Sequence, residues 1–158
     1  MIGSYLQILQ DSLAKKLGLL IQLEDKSRAQ SELLKEAELD FKAVDSNMDE
    51  KAVLIQEILK LDDGFESLYQ RIKEQLLLNK EQYKTEISIL KSLISQITDK
   101  NASIQALEAR NKAEMDLYFS KQKRGIQSRK NAMSVARDYY QNMNKVKHVS
   151  PQFLDQKK

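Results

Sequence analysis

The residue types that perform most enzyme chemistry are nearly missing from this chain. Among its 158 residues there is no cysteine and one histidine, His148. A thiolate nucleophile is therefore excluded, and neither a pair of histidines one helical turn apart nor a set of Glu-x-x-His motifs can be built. No serine stands in a Gly-x-Ser-x-Gly elbow, and no glycine-rich phosphate loop occurs. The sequence predicts a protein that is not an enzyme and that needs no metal and no cofactor.

Carboxylates are the one reactive group that is abundant, and several of them cluster between residues 36 and 50. We interpret this cluster as helix caps and solvated surface groups, because carboxylates accept the unpaired N–H groups at the start of a helix. Its members are Glu36, Glu38, Asp40, Asp45, Asp49 and Glu50.

The candidate functional residues lie instead in the basic C-terminal segment. Residues 121–158 carry ten basic and two acidic residues, whereas the first 120 residues are net negative. Methionine adapts to irregular surfaces, and tyrosine offers a large contact area with a polar tip. We therefore expect an amphipathic stretch of this segment to bind a helical segment of a client protein. The predicted client-binding residues are Met133, Ala136, Tyr139, Tyr140 and Met143.

Three other readings of this segment stay open at this point. The stretch from Met133 to Met143 can fold back onto its own bundle instead of binding a client. Its basic and aromatic residues can also bind nucleic acid through phosphate contacts and base stacking, although we do not favour nucleic acid as a partner. A basic amphipathic helix can also lie on a membrane surface.

Long helices must position this segment. No proline occurs between Ser4 and Ser150, and the only glycines in that stretch are Gly18, Gly64 and Gly125. Proline breaks helices and glycine weakens them, so a chain nearly without both favours continuous helix. Sheet proteins need turn residues every ~8–12 positions, and these turns are missing. The sequence therefore predicts an all-α fold.

Apolar residues at spacings of three and four predict three helices, at about residues 4–37, 41–78 and 81–124. Asp40 is a candidate cap for the second helix, and the apolar spacing continues through Gly64 without a change of phase. Short connections require neighbouring helices to be antiparallel. We predict an elongated antiparallel bundle of three long helices as one domain, residues 1–124. Residues 125–158 follow it as a basic amphipathic tail that is client-binding or disordered.

The expected location is the cytoplasm. No apolar run is long enough to cross a membrane, and the first residues lack the basic and apolar parts of a secretory signal. We therefore expect no membrane insertion. In the third helix, apolar residues alternate at spacings of four and three from Tyr83 to Ile104, which is a coiled-coil seam and leaves a homodimer open.

Several stretches of the chain together resemble the FlgN family of flagellar export chaperones. An acidic-leucine junction is followed by Glu50-Lys51 and a leucine-rich helix, and the similarity extends over nearly the whole chain in length and helix order. The FliT-like chaperone of the filament cap protein is similar as well. The stretches that carry the resemblance are Leu39–Val44, Asp49–Ile55, Leu61–Tyr69 and Tyr139–Met143.

The resemblance implies a small antiparallel helical bundle in the cytoplasm. Such a chaperone binds hook–filament junction subunits before secretion and delivers them to the type III export apparatus of the bacterial flagellum. It also implies that the C-terminal region contacts the helical C-terminus of the junction protein, at the five positions named above. The alternative is a structural coiled-coil or adaptor protein whose basic tail binds nucleic acid or a membrane surface.

Overall fold

The computed structural model of the protein describes residues 2–121 and 133–139, without the side chains of Tyr118, Phe119 and Lys121. Within these ranges the chain is helical apart from two turns, and no strand occurs there. The long helices are α1 (Ile2–Lys35), α2 (Phe41–Leu78) and α3 (Lys84–Lys121), and residues 133–139 form a short helix, α4. The predicted all-α fold with three long packed helices is confirmed.

The helix ends lie within three residues of the predicted positions. As predicted, Asp40 caps α2, because its side chain accepts a hydrogen bond from the Ala43 N–H at 3.1 Å. The helix then continues through Gly64 without a break. The start of α3 is later than predicted, because Asn79 caps α2 by donating from its side-chain amide to the Gln75 carbonyl at 2.7 Å. Residues 79–83 consequently form a turn.

Helix α1 packs along both of the other long helices. Between the described helices α2 and α3, by contrast, no two Cα atoms approach within 8 Å. Successive side-chain contacts give the directions of the helices: Lys16 and Lys26 of α1 contact Asp62 and Glu50 of α2 in reverse order. Helix α2 is therefore antiparallel to α1. Glu24 and Ser27 of α1 contact Lys100 and Glu108 of α3 in the same order, so these two helices are parallel.

Two apolar clusters make up the core. The large cluster extends from the turn at residues 79–83 to the middle of the bundle and draws on all three long helices and on Tyr139. The small cluster lies at the other end, near the turn at residues 36–40. Its buried members are Leu34, Val44, Met48 and Met115.

Helix α4 lies in the space between α2 and α3, which we call the α2–α3 groove. Met133 packs against the small cluster, and Tyr139 is buried in the large one. The chain of α4 therefore runs from the small cluster toward the large one, antiparallel to α3. Of the readings that the sequence leaves open for this segment, folding back onto the bundle is the one that α4 shows, since Tyr139 is buried there. Because α2 and α3 do not pack directly against each other, α4 can lie between them.

A search of the described residues finds no helix that is both long enough and apolar enough to cross a lipid bilayer.

Candidate functional site

Three of the five predicted client-binding residues lie in α4, and they share a face. Met133 and Ala136 are half-buried, and Tyr139 is 2% exposed. The other two, Tyr140 and Met143, lie outside the described residues. The structure thus brings the predicted apolar residues of α4 together, against the groove of their own bundle.

Tyr139 is the anchor of α4. Its hydroxyl donates a long hydrogen bond of 3.4 Å to Oδ1 of Asn101 on α3. Burial raises the pKa of Tyr139, and the negative charge of Asp62 on α2 acts in the same direction. The phenol is therefore neutral and serves as a hydrogen-bond donor. Asn101 interrupts the apolar seam of α3, and in the structure it is buried and accepts this bond.

A buried ion pair lies close to this tyrosine. The Lys16 ammonium donates to Oδ1 of Asp62 at 2.6 Å, and the two side chains are 4% and 16% exposed. Burial raises the pKa of Asp62, although the charge of Lys16 opposes this shift. The α2–α3 groove therefore combines apolar walls with one polar position, which matches a side chain such as tyrosine.

A second set of polar groups, which we call the polar layer, separates the two apolar clusters. Every member joins two helices. The Lys51 ammonium donates to Oε1 of Gln30 at 2.8 Å and to the Glu108 carboxylate, and the Ser27 hydroxyl donates to the same carboxylate at 2.8 Å. The layer consists of Ser27 and Gln30 on α1, Asn47 and Lys51 on α2, and Glu108 and Asn111 on α3.

Burial of two members of the polar layer, Lys51 and Asn47, costs free energy. Burial lowers the pKa of Lys51, and the nearby Glu108 carboxylate opposes this shift. Asn47 donates to the Lys26 carbonyl at 2.9 Å, but its own Oδ1 atom has no hydrogen-bond partner. Of the buried side-chain nitrogens and oxygens in the described residues, it is the only one without a partner. A buried polar group without a partner costs free energy, so the layer is a weaker part of the core than the clusters.

Glu24 forms a third polar contact, between α1 and α3. Its carboxylate accepts from the Ser103 hydroxyl and from the Lys100 ammonium, the latter at 2.9 Å. These two hydrogen bonds lower the pKa of Glu24, and burial opposes them. Ionised Glu24 therefore stabilises the packing of α1 against α3.

Sequence reasoning missed the buried charges. Lys16 lies between Leu13 and Leu20 on the apolar stripe of α1, and Lys51 lies between Met48 and Ile55 on that of α2. A charged residue at a core position of a helical repeat is the signal that could have identified both.

Nothing in the described part of the chain assembles a metal site, since no three His, Cys, Asp or Glu side chains lie close enough together there. The absence of enzyme activity and of a cofactor stays a prediction. The polar groups that the structure brings together connect the helices of the core by packing and hydrogen bonding.

Comparisons with models of protein families, with curated proteins and with solved structures find no match to this chain. The resemblance to the FlgN family therefore depends on the residues quoted above.

Proposed function

We propose that this protein is an export chaperone of the FlgN type that binds a client helix through α4 and the α2–α3 groove. The observation that carries the proposal is the way α4 is held. Residues 133–139 form a helix against the bundle, where Tyr139 is buried and donates a long hydrogen bond of 3.4 Å to Asn101. The resemblance to FlgN supplies the client class, the helical C-terminus of a hook–filament junction protein.

The burial of α4 supports its occupation of the groove. Tyr139 is buried and Met133 and Ala136 are half-buried, so the apolar face of α4 depends on the bundle for its cover. When α4 leaves the groove, two apolar surfaces become available: the face with Met133, Ala136 and Tyr139, and the groove itself. Laying an amphipathic helix into such a groove is a common mode of peptide recognition.

The chemistry of the groove also fits a chaperone role. A chaperone must cover an apolar client segment and release it, which requires neither a nucleophile nor a metal. The partners that the resemblance implies are the junction protein and, at delivery, the export apparatus, in the cytoplasm.

The proposal is tested by calorimetric titration of the full chain with a peptide from the C-terminus of a hook–filament junction protein. We expect saturable binding that changes little between low and moderate salt, because apolar packing dominates it. Ala136→Glu, which places a charge on the half-buried face of α4, is expected to change the affinity at least threefold. Val53→Glu is the matched control, since Val53 is already exposed on α2.

Absence of saturable binding would contradict the proposal. Binding to single-stranded nucleic acid or anionic vesicles that weakens steeply with salt would favour the adaptor alternative instead.

A further inference from the structure

A second groove runs along the surface of the bundle between α1 and α2, and we call it the α1–α2 groove. It is open to solvent and has a volume of about 360 Å³, and its apolar walls include Ile8 of α1 and Leu61, Phe65 and Leu68 of α2. Residues of α1 and α2 line this groove, whereas α4 occupies the space on the other side of α2, toward α3. The two grooves are therefore separate surfaces that share α2.

Ile8 extends the apolar surface of this groove outward from the contact between the two helices. Its side chain is 53% exposed, and it continues directly into the half-buried Leu61, Phe65 and Leu68. A single exposed aliphatic residue on a protein surface is ordinary, but here Ile8 adjoins a row of apolar residues on α2 and forms a small concave apolar surface with them.

Gly64 lines the same groove and is exposed. A Cβ atom built on it would meet no atom within 4 Å. Because glycine has no side chain, the α2 backbone is open to close approach at this point of the groove.

The charges at the rim indicate the chemistry of that molecule. Lys15 and Lys60 both line the groove and are exposed. Within the part of the chain that the structure describes, neither of them forms an ion pair with a carboxylate. The one acidic lining residue is Asp11, which accepts a hydrogen bond from Gln7 of its own helix at 2.8 Å. The groove thus presents apolar walls with an excess of positive charge.

We propose that the α1–α2 groove binds an amphipathic helix of another protein that carries acidic residues beside its apolar face. A helix fits because the groove lies between two helices and Gly64 permits close backbone approach. A second copy of this chain fits less well, because a symmetric contact would set this positively charged groove against the same groove of the other copy. The proposal is independent of client binding at α4, and the chain can hold both partners at once.

The test is a titration of the full, ¹⁵N-labelled chain with two synthetic helical peptides, followed by NMR. Both peptides span about four turns and carry leucine at the i, i+3, i+4 and i+7 positions. One has glutamate beside the leucine face, and the matched peptide has lysine there. We expect saturable shifts centred on Ile8, Gly64 and Phe65, with the glutamate peptide binding roughly tenfold more tightly, a difference of about 1.4 kcal/mol.

Three variants test the roles of the lysines and of Gly64 separately. Lys15→Glu combined with Lys60→Glu is expected to reverse the preference between the two peptides. Gly64→Leu fills the groove and is expected to abolish binding of the glutamate peptide. Gly18→Leu is the matched control, because Gly18 also lies within a long helix with no atom within 4 Å of a built Cβ, but does not line the groove. Circular dichroism melting verifies that all three variants fold.

Several results would overturn the proposal. These are shifts centred away from the groove, equal affinity for the two peptides, or unchanged binding in the Gly64→Leu variant. A mass that doubles with concentration and returns to the monomer value in Gly64→Leu would assign the groove to a second copy instead. Binding of the junction-protein peptide, measured in parallel, is expected to be unaffected by Gly64→Leu, so failure of one proposal is distinguishable from failure of the other.

Discussion

The two ends of this bundle are stabilised by different chemistry. Toward the turn at residues 79–83, the large cluster fills the interior with leucine, isoleucine and tyrosine from three helices. Toward the turn at residues 36–40, the small cluster has four buried apolar members among the described side chains, and the polar layer separates them from the large cluster. Because buried polar groups stabilise a core less than apolar packing does, we expect the small-cluster end to open first.

This difference matters for α4, since Met133 packs on the small cluster and Tyr139 on the large one. The first residues of α4 thus rest on the weaker end of the bundle. We expect local opening there to loosen α4 without unfolding the large cluster, which suits the proposed displacement of α4 by a client.

The largest expected effect comes from matched leucine truncations at the two ends. Leu→Ala substitutions in cores cost about 2–5 kcal/mol. Leu20 is 0% exposed in the large cluster and Leu34 is 7% exposed in the small one. We expect Leu20→Ala to lie at the upper end of that range and Leu34→Ala at the lower end, measured as the free energy of unfolding in urea. Equal losses of unfolding free energy would contradict the proposed difference in stability between the two ends.

The next largest effect concerns the polar layer. Lys51→Met leaves the Glu108 carboxylate and the Gln30 carbonyl oxygen without their shared donor, and removing one partner of a buried ion pair costs about 3–5 kcal/mol. We expect about 3 kcal/mol, since Glu108 keeps some contact with water. The double variant Lys51→Met with Glu108→Leu should recover most of the loss. If the double variant were as unstable as the single one, the loss of unfolding free energy would not come from the unpaired charge of Glu108.

The third effect depends on pH. Glu24 has a lowered pKa in the folded state, so its ionised form stabilises the fold above its unfolded value of 4.5. That contribution is lost as the pH falls from this value through the folded pKa. Glu24→Gln is expected to cost about 2 kcal/mol at pH 7 and much less at about pH 3. Urea midpoints across this range measure the difference, and a cost independent of pH would contradict the assignment.

The smallest effect is that of Tyr139→Phe. The substitution keeps the buried ring and removes one long hydrogen bond to Asn101, which predicts a loss of about 1 kcal/mol. Hydrogen exchange should become faster in residues 133–139 and stay unchanged in α1 around Leu20. Faster exchange throughout the bundle would show that α4 is part of one cooperative unit with the large cluster.

The sequence predicted the three long helices because their signals are local. The Asp40 cap, the continuous apolar spacing through Gly64 and the absence of proline each act within a few residues. The position of α4 could not be predicted in this way, since it depends on how far α2 and α3 stand apart. The buried charges Lys16 and Lys51 were missed for a related reason: their partners come from other helices.

Hydrogen–deuterium exchange of residues 133–139 in the full chain, with and without a saturating junction-protein peptide, tests the central claim most directly. The claim is that α4 leaves the α2–α3 groove when a client helix binds. We predict that the exchange rates of residues 133–139 and of the segment around Asn101 change on binding, whereas those of residues 6–13 do not. Saturable binding with unchanged exchange in residues 133–139 would contradict the claim.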